Sequence, residues 1–401
     1  MPPRRGAGPR PEAEPSAQRE DPGQHPERRL GSSGLYVHFP WCRHLCPYCD
    51  FPVAVAKGEP PHDAYTAAIL GEIDARAALL EGHELVSIYF GGGTPSLWRP
   101  DCLAAVVDHA KDAFAAAPQE ITIEANPIDC APDRLARWRD AGIDRVSIGV
   151  QSLEPRELVA LGRDHTMGDD GLAAIDHARR AGFRSISADL ILGIPDAHTD
   201  AVPAHVAATA AAVDHLSIYE LTIEERTIFG KRAREGSLRP LDEDTLASLY
   251  ERTHAALTAQ GFDHYEISSY ARPGHRAVHN SLYWRGAPFL GVGVGAASFV
   301  RNPDGTATRT TNTRSAPAYL RGERTADTLV ASEKEHAADL LWLALRTTDG
   351  IAETDAPPAF TAWLLSERLA TQAQGRIRPT LRGFLYADRI AARAVQSAET
   401  P

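Results

Sequence analysis

The stretch LYVHFPWCRHLCPYCDF, residues 35–51, joins a short apolar run to three closely spaced cysteines. Residues 35–39 have the apolar, β-branched and aromatic character of a buried strand. Cys42, Cys46 and Cys49 follow in the loop after this strand, with the spacing C-x3-C-x2-C. Three neighbouring thiolates can hold three corners of an iron–sulfur cluster. The fourth corner stays open, and an open position is typical of a reactive metal site that receives an outside ligand.

A zinc site is the alternative interpretation of this cluster, with His38 or His44 as the fourth ligand. Closed zinc sites usually take their ligands from two short knuckles, and the sequence has no second cysteine pair. The two remaining cysteines, Cys102 and Cys130, stand apart and are interpreted as isolated structural thiols.

Composition narrows the class of protein. The chain has 401 residues, 43% hydrophobic and 24% charged, which suits one large globular domain with a smaller appendage. A net charge of -11 argues against nucleic acid as the main partner and favours small molecules or proteins. No apolar run is long enough for a transmembrane segment, and the N-terminus lacks the apolar core of a signal peptide. We therefore expect a cytoplasmic protein with reduced cysteines.

Strands and helices alternate through the first half of the chain, which predicts parallel βαβ units. The strand candidates are residues 35–39, 86–90, 121–125, 145–150, 185–192 and 215–221. The helix candidates between and after them are residues 63–80, 101–116, 132–141, 168–181, 201–213 and 242–260. Six such units predict an α/β fold with a partial (β/α)6 barrel.

Four segments are expected along the chain. Residues 1–30 are rich in Pro, Arg, Glu and Gly and predict a disordered tail. Residues 31–225 form the predicted barrel, and residues 226–325 extend it and carry an H-N-x-x-Y-W element. Residues 326–401 predict a small, mainly helical C-terminal domain, whose hairpin followed by a helix is winged-helix-like.

Polar and glycine residues follow the predicted strands, where the site of a parallel barrel lies. Gly92, Gly93 and Thr94 follow the second strand, and the missing glycine side chains would let backbone approach a ligand. A tight turn is the simpler reading of a glycine triplet alone. The carboxylate and amide candidates at the later strands are Glu124, Gln151 and Asp189. These groups could accept hydrogen bonds from hydroxyl and ammonium groups, whereas Asn126 and Ser152 could be ordinary helix caps.

The cysteine spacing, with an aromatic residue before the last cysteine, resembles the signature of the radical S-adenosylmethionine (SAM) family. The resemblance implies a 4Fe-4S cluster on Cys42, Cys46 and Cys49, with SAM on the open iron. It also implies that the GGGTP stretch at residues 91–95 holds the SAM amino group. Arg163, in the stretch LGRDH, would pair with the SAM carboxylate. Tyr36 and Tyr48 lie close enough in sequence to the cluster to flank SAM.

Residues 35 to about 300 resemble the branch of this family related to oxygen-independent coproporphyrinogen III oxidase, through YVHFPWC, FGGGTPS, RVSIGVQS, LGRDH and DLILGIP. Two functions compete within this branch. The oxidase decarboxylates porphyrinogen propionates, whereas chaperones of the HemW type bind heme and pass it to acceptor proteins. Phe51 stands where such oxidases carry a further cysteine, and the chaperones characteristically have this C-D-F sequence.

The H-N-x-x-Y-W element is similar to an element that the chaperones also carry. Its candidates for contact with heme are His279, Tyr283 and Trp284. Imidazole is a common axial ligand of heme iron, and aromatic rings can pack against a porphyrin. A structural histidine with two core aromatics is the alternative. The resemblance thus predicts heme as cargo and heme-accepting proteins as partners, with the oxidase as the alternative function. Peripheral docking on a membrane is compatible with this role, although no basic amphipathic helix requires it.

Overall fold

The predicted alternation of strands and helices is present in the computed structural model of the protein, which describes residues 31–164, 167–195, 197 and 199–399. The predicted tail at residues 1–30 and His165 of the LGRDH stretch lie outside these ranges. The strands are β1 (Gly31–Phe39), β2 (Trp41–Cys42), β3 (Ala54–Val55), β4 (His83–Gly92), β5 (Glu120–Ala125), β6 (Arg145–Gln151), β7 (Ser185–Leu192), β8 (His215–Glu220), β9 (Asp263–Glu266), β10 (Ser269–Ala271), β11 (Phe289–Gly293), β12 (Ala297–Arg301), β13 (Ala307–Asn312), β14 (Thr325–Ala331), β15 (Ile351–Ala352), β16 (Ala370–Ala373) and β17 (Arg376–Pro379). The helices are α1 (His62–Arg76), α2 (Pro100–Ala113), α3 (Pro132–Asp140), α4 (Pro155–Ala160), α5 (Gly168–Arg180), α6 (Val202–Ala210), α7 (Ile228–Arg234), α8 (Glu243–Thr258), α9 (Val278–Trp284), α10 (Ala316–Leu320), α11 (Glu333–Ala344), α12 (Pro358–Ser366), α13 (Leu381–Leu385) and α14 (Ala387–Glu399).

One twelve-stranded sheet forms the centre of the fold, in the order β14-β13-β12-β11-β1-β4-β5-β6-β7-β8-β10-β9. The six predicted strands are β1 and β4 to β8, which lie side by side and run parallel. Every residue of β6 except the last is buried, as expected for a parallel strand covered on both faces. The strand order has two edges, β14 and β9, which confirms the predicted α/β class and partial barrel.

β11 is a seventh parallel strand, and the sequence analysis did not identify it as part of this sheet. It pairs with β1 on the side opposite β4, so that Gly34 lies beside Phe289. Its glycines explain why its sequence does not resemble a strand. A Cβ atom on Gly291 would lie 2.0 Å from the carbonyl oxygen of Ala297 in β12, so close approach of the two strands requires glycine.

The C-terminal part has its own small apolar core. β15, β17 and β16 form an antiparallel sheet, and α11 to α14 supply most of the remaining residues. The core of this part includes Leu341, Phe360, Leu364 and Ile377. These features confirm a mainly helical, winged-helix-like region at the C-terminus, whereas the predicted domain boundaries stay predictions.

Helix length and polarity decide whether a segment can cross a bilayer. Within the ranges given above, no helix combines the length and apolar character that a membrane span needs.

Candidate functional site

The three clustered cysteines lie beside the C-terminal ends of the parallel strands. Cys42 ends β2, which pairs in parallel with β3 and folds the cysteine loop back on itself. All three thiols are free and partly exposed, and they line a cavity of about 540 Å³. The ends of β4 to β8 supply much of the remaining wall of this cavity, which we call the polar cavity. This is the edge at which parallel α/β barrels place their chemistry.

An ion pair and a histidine–carboxylate contact anchor the cysteine loop to the barrel, and the sequence analysis missed both. Arg43 donates two hydrogen bonds to the carboxylate of Asp129, at 2.5 and 3.2 Å, and Asp129 is buried. The Nδ1 atom of His44 lies 2.9 Å from Asp164. Bidentate pairing between a guanidinium and a carboxylate fixes orientation as well as distance. The loop is therefore held in place before any cluster binds.

The three thiols line one cavity and could bind the separate irons of a polynuclear cluster. Among the residues that the structure describes, no group of three or more His, Cys, Asp and Glu side chains could hold one metal ion. Thiolates spread along one cavity wall can still bind the separate irons of a cluster. Burial raises the pKa of Cys42 to about 11 and also raises that of Cys49, so cluster binding must displace protons from these thiols.

The glycines after β4 have a packing role in addition to lining the polar cavity. Gly92 has a φ of 115°, in the region that favours glycine, and a Cβ atom there would lie 2.5 Å from the ring of His38. A Cβ atom on Gly93 would lie 2.7 Å from the carbonyl oxygen of Pro40. The end of β4 thus packs directly on the chain that leads into the cysteines. Thr94 is buried and lines the same cavity.

Two partly buried carboxylates, Glu124 and Asp189, face the polar cavity from β5 and β7. Glu124 accepts hydrogen bonds from the hydroxyl of Tyr89 at 2.8 Å and the backbone of Gly92 at 3.1 Å. Asp189 accepts a bond from the hydroxyl of Ser147 at 3.0 Å. Burial raises the pKa of Glu124 to about 7 and that of Asp189 to about 6. Both groups are suited to bind a cationic ligand or hydroxyl donors.

Gln151 and Arg163 complete the wall of the polar cavity. Gln151 ends β6 at an irregularity in the pairing and has a φ of 66°, an uncommon conformation for a residue other than glycine. The guanidinium of Arg163 donates to the side chain of Asn126 and to the carbonyl oxygen of Gly149. The Nε atom of Arg163 is buried without a hydrogen-bond partner. Backbone strain and an unpaired donor at one cavity indicate a binding site.

The two tyrosines predicted to flank SAM lie in different places. Tyr48 lines the polar cavity, and its hydroxyl lies 3.4 Å from the guanidinium of Arg163. Tyr36 instead lines a second, neighbouring cavity, and its hydroxyl pairs with Nδ1 of His38 at 3.0 Å. The role of Tyr36 as a SAM contact therefore stays a prediction.

The second cavity has a volume of about 490 Å³, and we call it the apolar cavity. Phe51, Gly92 and Glu124 line both cavities, so the two share a rim. Aromatic and small residues dominate the rest of its wall, which includes Tyr283, Trp284, Phe289, Ala297 and Phe299. The structure thus brings two of the three heme candidates together at this cavity.

His279, the third heme candidate, is buried outside both cavity walls and is hydrogen-bonded through both ring nitrogens. Its Nδ1 atom lies 2.8 Å from the hydroxyl of Ser87, and its Nε2 atom lies 2.8 Å from the hydroxyl of Tyr283. Burial lowers its pKa to about 3. Ligation of a metal by His279 would require one of these bonds to break, and this assignment stays a prediction.

Sequence reasoning also missed the far wall of the apolar cavity. Arg309 in β13 and His336, Asp339 and Leu343 in α11 line it. These residues lie in segments that carry no recognisable motif, and long-range folding brings them to the site.

Comparisons with known proteins agree with this geometry. Residues 36–206 match the model of the radical SAM superfamily. The chain is 40% identical over 296 residues to the heme chaperone HemW of Escherichia coli K12, which covers 73% of this chain and 77% of that protein. It is 33% identical over 353 residues to radical S-adenosyl methionine domain-containing protein 1, mitochondrial, of Bos taurus, covering 85% of this chain and 79% of that protein.

A solved structure of the coproporphyrinogen III oxidase HemN from E. coli superposes with a TM-score of 0.76. It is 22% identical in sequence, and the match covers 93% of this chain and 92% of that one. This likeness establishes the shared fold. Since the higher sequence identity is to the chaperone, the chain belongs to the radical SAM superfamily and, within it, to the family of the heme chaperone HemW.

Proposed function

We propose that this protein is a heme chaperone that binds heme in the apolar cavity and passes it to acceptor proteins. The observation that carries the proposal is the apolar cavity itself, which is open, lined with aromatic rings and joined at its rim to the polar cavity. Heme is flat and largely apolar, and such ligands are bound in apolar clefts with a few placed polar groups. The names of the similar chaperones support the same cargo.

The polar cavity fits the 4Fe-4S cluster and SAM that membership of the radical SAM superfamily implies. When bound, these groups supply one-electron chemistry. The thiolates of Cys42, Cys46 and Cys49 would hold the cluster. Glu124, Gln151 and Asp189 would accept hydrogen bonds from ribose hydroxyls and an ammonium group, and Arg163 would pair with a carboxylate. Heme delivery requires these residues only to hold the ligands, so turnover of SAM is a separate question.

The alternative function is that of an oxygen-independent coproporphyrinogen III oxidase. Coproporphyrinogen carries four propionates and heme carries two. Among the described residues that line the apolar cavity, Arg309 alone supplies a permanent positive charge. In addition, Phe51 stands at the position of the further cysteine in the oxidases, and it lines both cavities. Both features favour heme over the porphyrinogen.

The heme acceptor would be a protein that requires heme and has not yet received it. A cytoplasmic location and peripheral docking on a membrane stay predictions.

The test uses the full chain, reconstituted anaerobically with cluster and SAM. Titration with heme, followed by absorbance, should give binding of one heme per chain, and the bound heme should transfer to an apo-globin. Incubation with coproporphyrinogen III and a reductant should give no decarboxylated product. Sustained decarboxylation, or heme uptake without a stoichiometric end point, would overturn the proposal.

A matched pair of variants assigns the binding to the apolar cavity. Ala297→Phe adds a ring at the wall of this cavity, whereas Ala204→Phe adds one on the exposed surface of α6. The first variant should weaken heme binding and leave cluster content and SAM affinity intact. The second should leave all three unchanged. Equal heme affinity in both variants would contradict binding in this cavity.

A further inference from the structure

Helix α11 presents one face, which carries a histidine and an aspartate, to the apolar cavity. The helix begins with a capping box, in which the backbone of Ser332 donates to the side chain of Glu335 at 2.8 Å and the Ser332 hydroxyl accepts from the Glu335 backbone. His336, Asp339 and Leu343 follow at spacings of three and four residues, so they share a face of the helix. All three line the apolar cavity. The position of His336 in the first turn is fixed by the cap that precedes it.

His336 is a buried imidazole with an unpaired nitrogen. The residue is 8% exposed, and its Nδ1 atom is buried without a hydrogen-bond partner. Its ring lies 5.6 Å from the ring of Phe299, which is also part of the cavity wall. Buried polar nitrogens in proteins are nearly always paired, and the exceptions need an explanation.

Two other histidines near this cavity, His38 and His279, have a hydrogen-bond partner at both ring nitrogens. His38 pairs through Nδ1 with the hydroxyl of Tyr36 at 3.0 Å and through Nε2 with the carbonyl oxygen of Pro52 at 3.2 Å. Both ring nitrogens of His279 are bonded in the same way. Of these three imidazoles, His336 is therefore the one with a ring nitrogen that can bind a new partner without breaking a hydrogen bond.

We propose that His336 is an axial ligand of the iron of a heme bound in the apolar cavity. The inference rests on the proposed function and deepens it, because it names the metal ligand of the cargo site. Neutral imidazole is a common protein ligand of heme iron. Burial and the positive charge of Arg301 lower the pKa of His336 and so favour the neutral form, whereas the carboxylate of Asp339 acts in the opposite direction with a smaller effect. The aromatic rings of Phe299 and Trp284 would then pack against the porphyrin.

The experiment compares heme complexes of the full chain and its variants by absorption and electron paramagnetic resonance spectroscopy. His336→Ala should lose the signature of imidazole ligation and bind heme at least about tenfold more weakly, since even outer-shell partners of a metal ligand change affinity by that factor. Free imidazole added to this variant should restore the signature. His336→Met keeps a side chain of similar reach and should bind heme with a shifted spectrum.

Two further variants make the result specific. His83→Ala removes an exposed histidine that lines neither cavity, and it should leave affinity and spectrum unchanged. His279→Ala tests the ligand predicted from the sequence. Retained cluster content and an unchanged melting temperature show that each variant is folded.

The outcomes separate this inference from the proposed function. If the unmodified chain binds no heme, both fail. If it binds heme, and His336→Ala and His336→Met have an unchanged spectrum and affinity, the ligand assignment alone is wrong. If the signature of imidazole ligation is lost in His279→Ala but kept in His336→Ala, the iron ligand is His279 and not His336.

Discussion

The polar and apolar cavities share a rim but are built from different parts of the chain. Apart from Arg163 and Asp164, which follow α4, the side chains of the polar cavity stand in or just after one strand of a regular βαβ series, or in the short loop that carries the cysteines. The apolar cavity combines β1 with α9, β11, β12, β13 and α11. The first is rich in carboxylates and thiols, and the second is mostly aromatic. The difference supports the proposed division of labour, in which one cavity would hold reactive cofactors and the other a cargo.

The largest expected effect is loss of the cluster from the polar cavity when one of its cysteines is replaced. Cys49→Ser should abolish the iron and sulfide content and the charge-transfer absorption of reconstituted protein, because a hydroxyl is a poor substitute for a thiolate ligand. SAM binding should be lost with the cluster, whereas heme affinity should change little, since no cysteine lines the apolar cavity among the described residues. Iron analysis and calorimetric titration measure these quantities.

Cys102→Ser is the control for that substitution, because Cys102 is a buried thiol away from both cavities. It should keep a full cluster. Equal loss of heme and SAM binding in Cys49→Ser, with the fold intact, would show that the two cavities work as one site.

An intermediate effect is expected at Glu124, which lies on the shared rim. Burial raises its pKa from the usual 4.5 to about 7, so between these pH values the folded chain binds more protons than the unfolded chain. Stability must then fall as pH rises through this window. Glu124→Gln removes this titration. As pH rises through this window, the free energy of unfolding of the variant should therefore increase by about 1 to 3 kcal/mol relative to that of the unmodified chain.

Urea denaturation of both proteins at the two ends of the window measures this difference. Asp189 also has a raised pKa, and its charge contributes to the shift at Glu124, so the difference reports the Glu124 titration together with its coupling to Asp189. A difference that is constant with pH, or that changes in the opposite direction, would show that Glu124 is ionised in the folded chain throughout.

The smallest effect is expected at Arg309, an exposed residue on the wall of the apolar cavity. Arg309 pairs across the sheet with Phe299, so their side chains share a face, and the guanidinium could reach a heme propionate. Exposed ion pairs contribute little, so Arg309→Ala should weaken heme binding by only about two- to fivefold. The loss should shrink as salt is added.

Arg309→Lys is the matched variant, because it keeps the charge and should retain most of the affinity. Heme titrations at two salt concentrations, with SAM titrations beside them, check the prediction. An equal effect of Arg309→Ala on SAM binding would contradict the separation of the cavities.

The parts of the molecule that were predictable from sequence are those set by local pattern. Strand-like runs and glycine breaks identified the six central parallel strands, and the cysteine spacing and strand ends identified most of the polar cavity. β11 was not identified because close packing against β12 requires glycine where a strand normally has larger side chains. The far wall of the apolar cavity was missed because it comes from β13 and α11, which carry no functional motif. The hydrogen bonds of His279 depend on Ser87, a partner that no local pattern indicates.

The double pairing of β1 has a consequence for how the protein is made. β1 pairs with β4, which follows soon after it in the chain, and with β11, which brings residue 34 beside residue 289. Contacts between residues so distant in sequence form late, because closing the long loop between them costs conformational entropy that the contact recovers only once it has formed. On the ribosome, the segment that leads into the cysteines can gain its second neighbour only after most of the chain has emerged. Cluster insertion that requires both neighbours of β1 is therefore expected late in synthesis or after it.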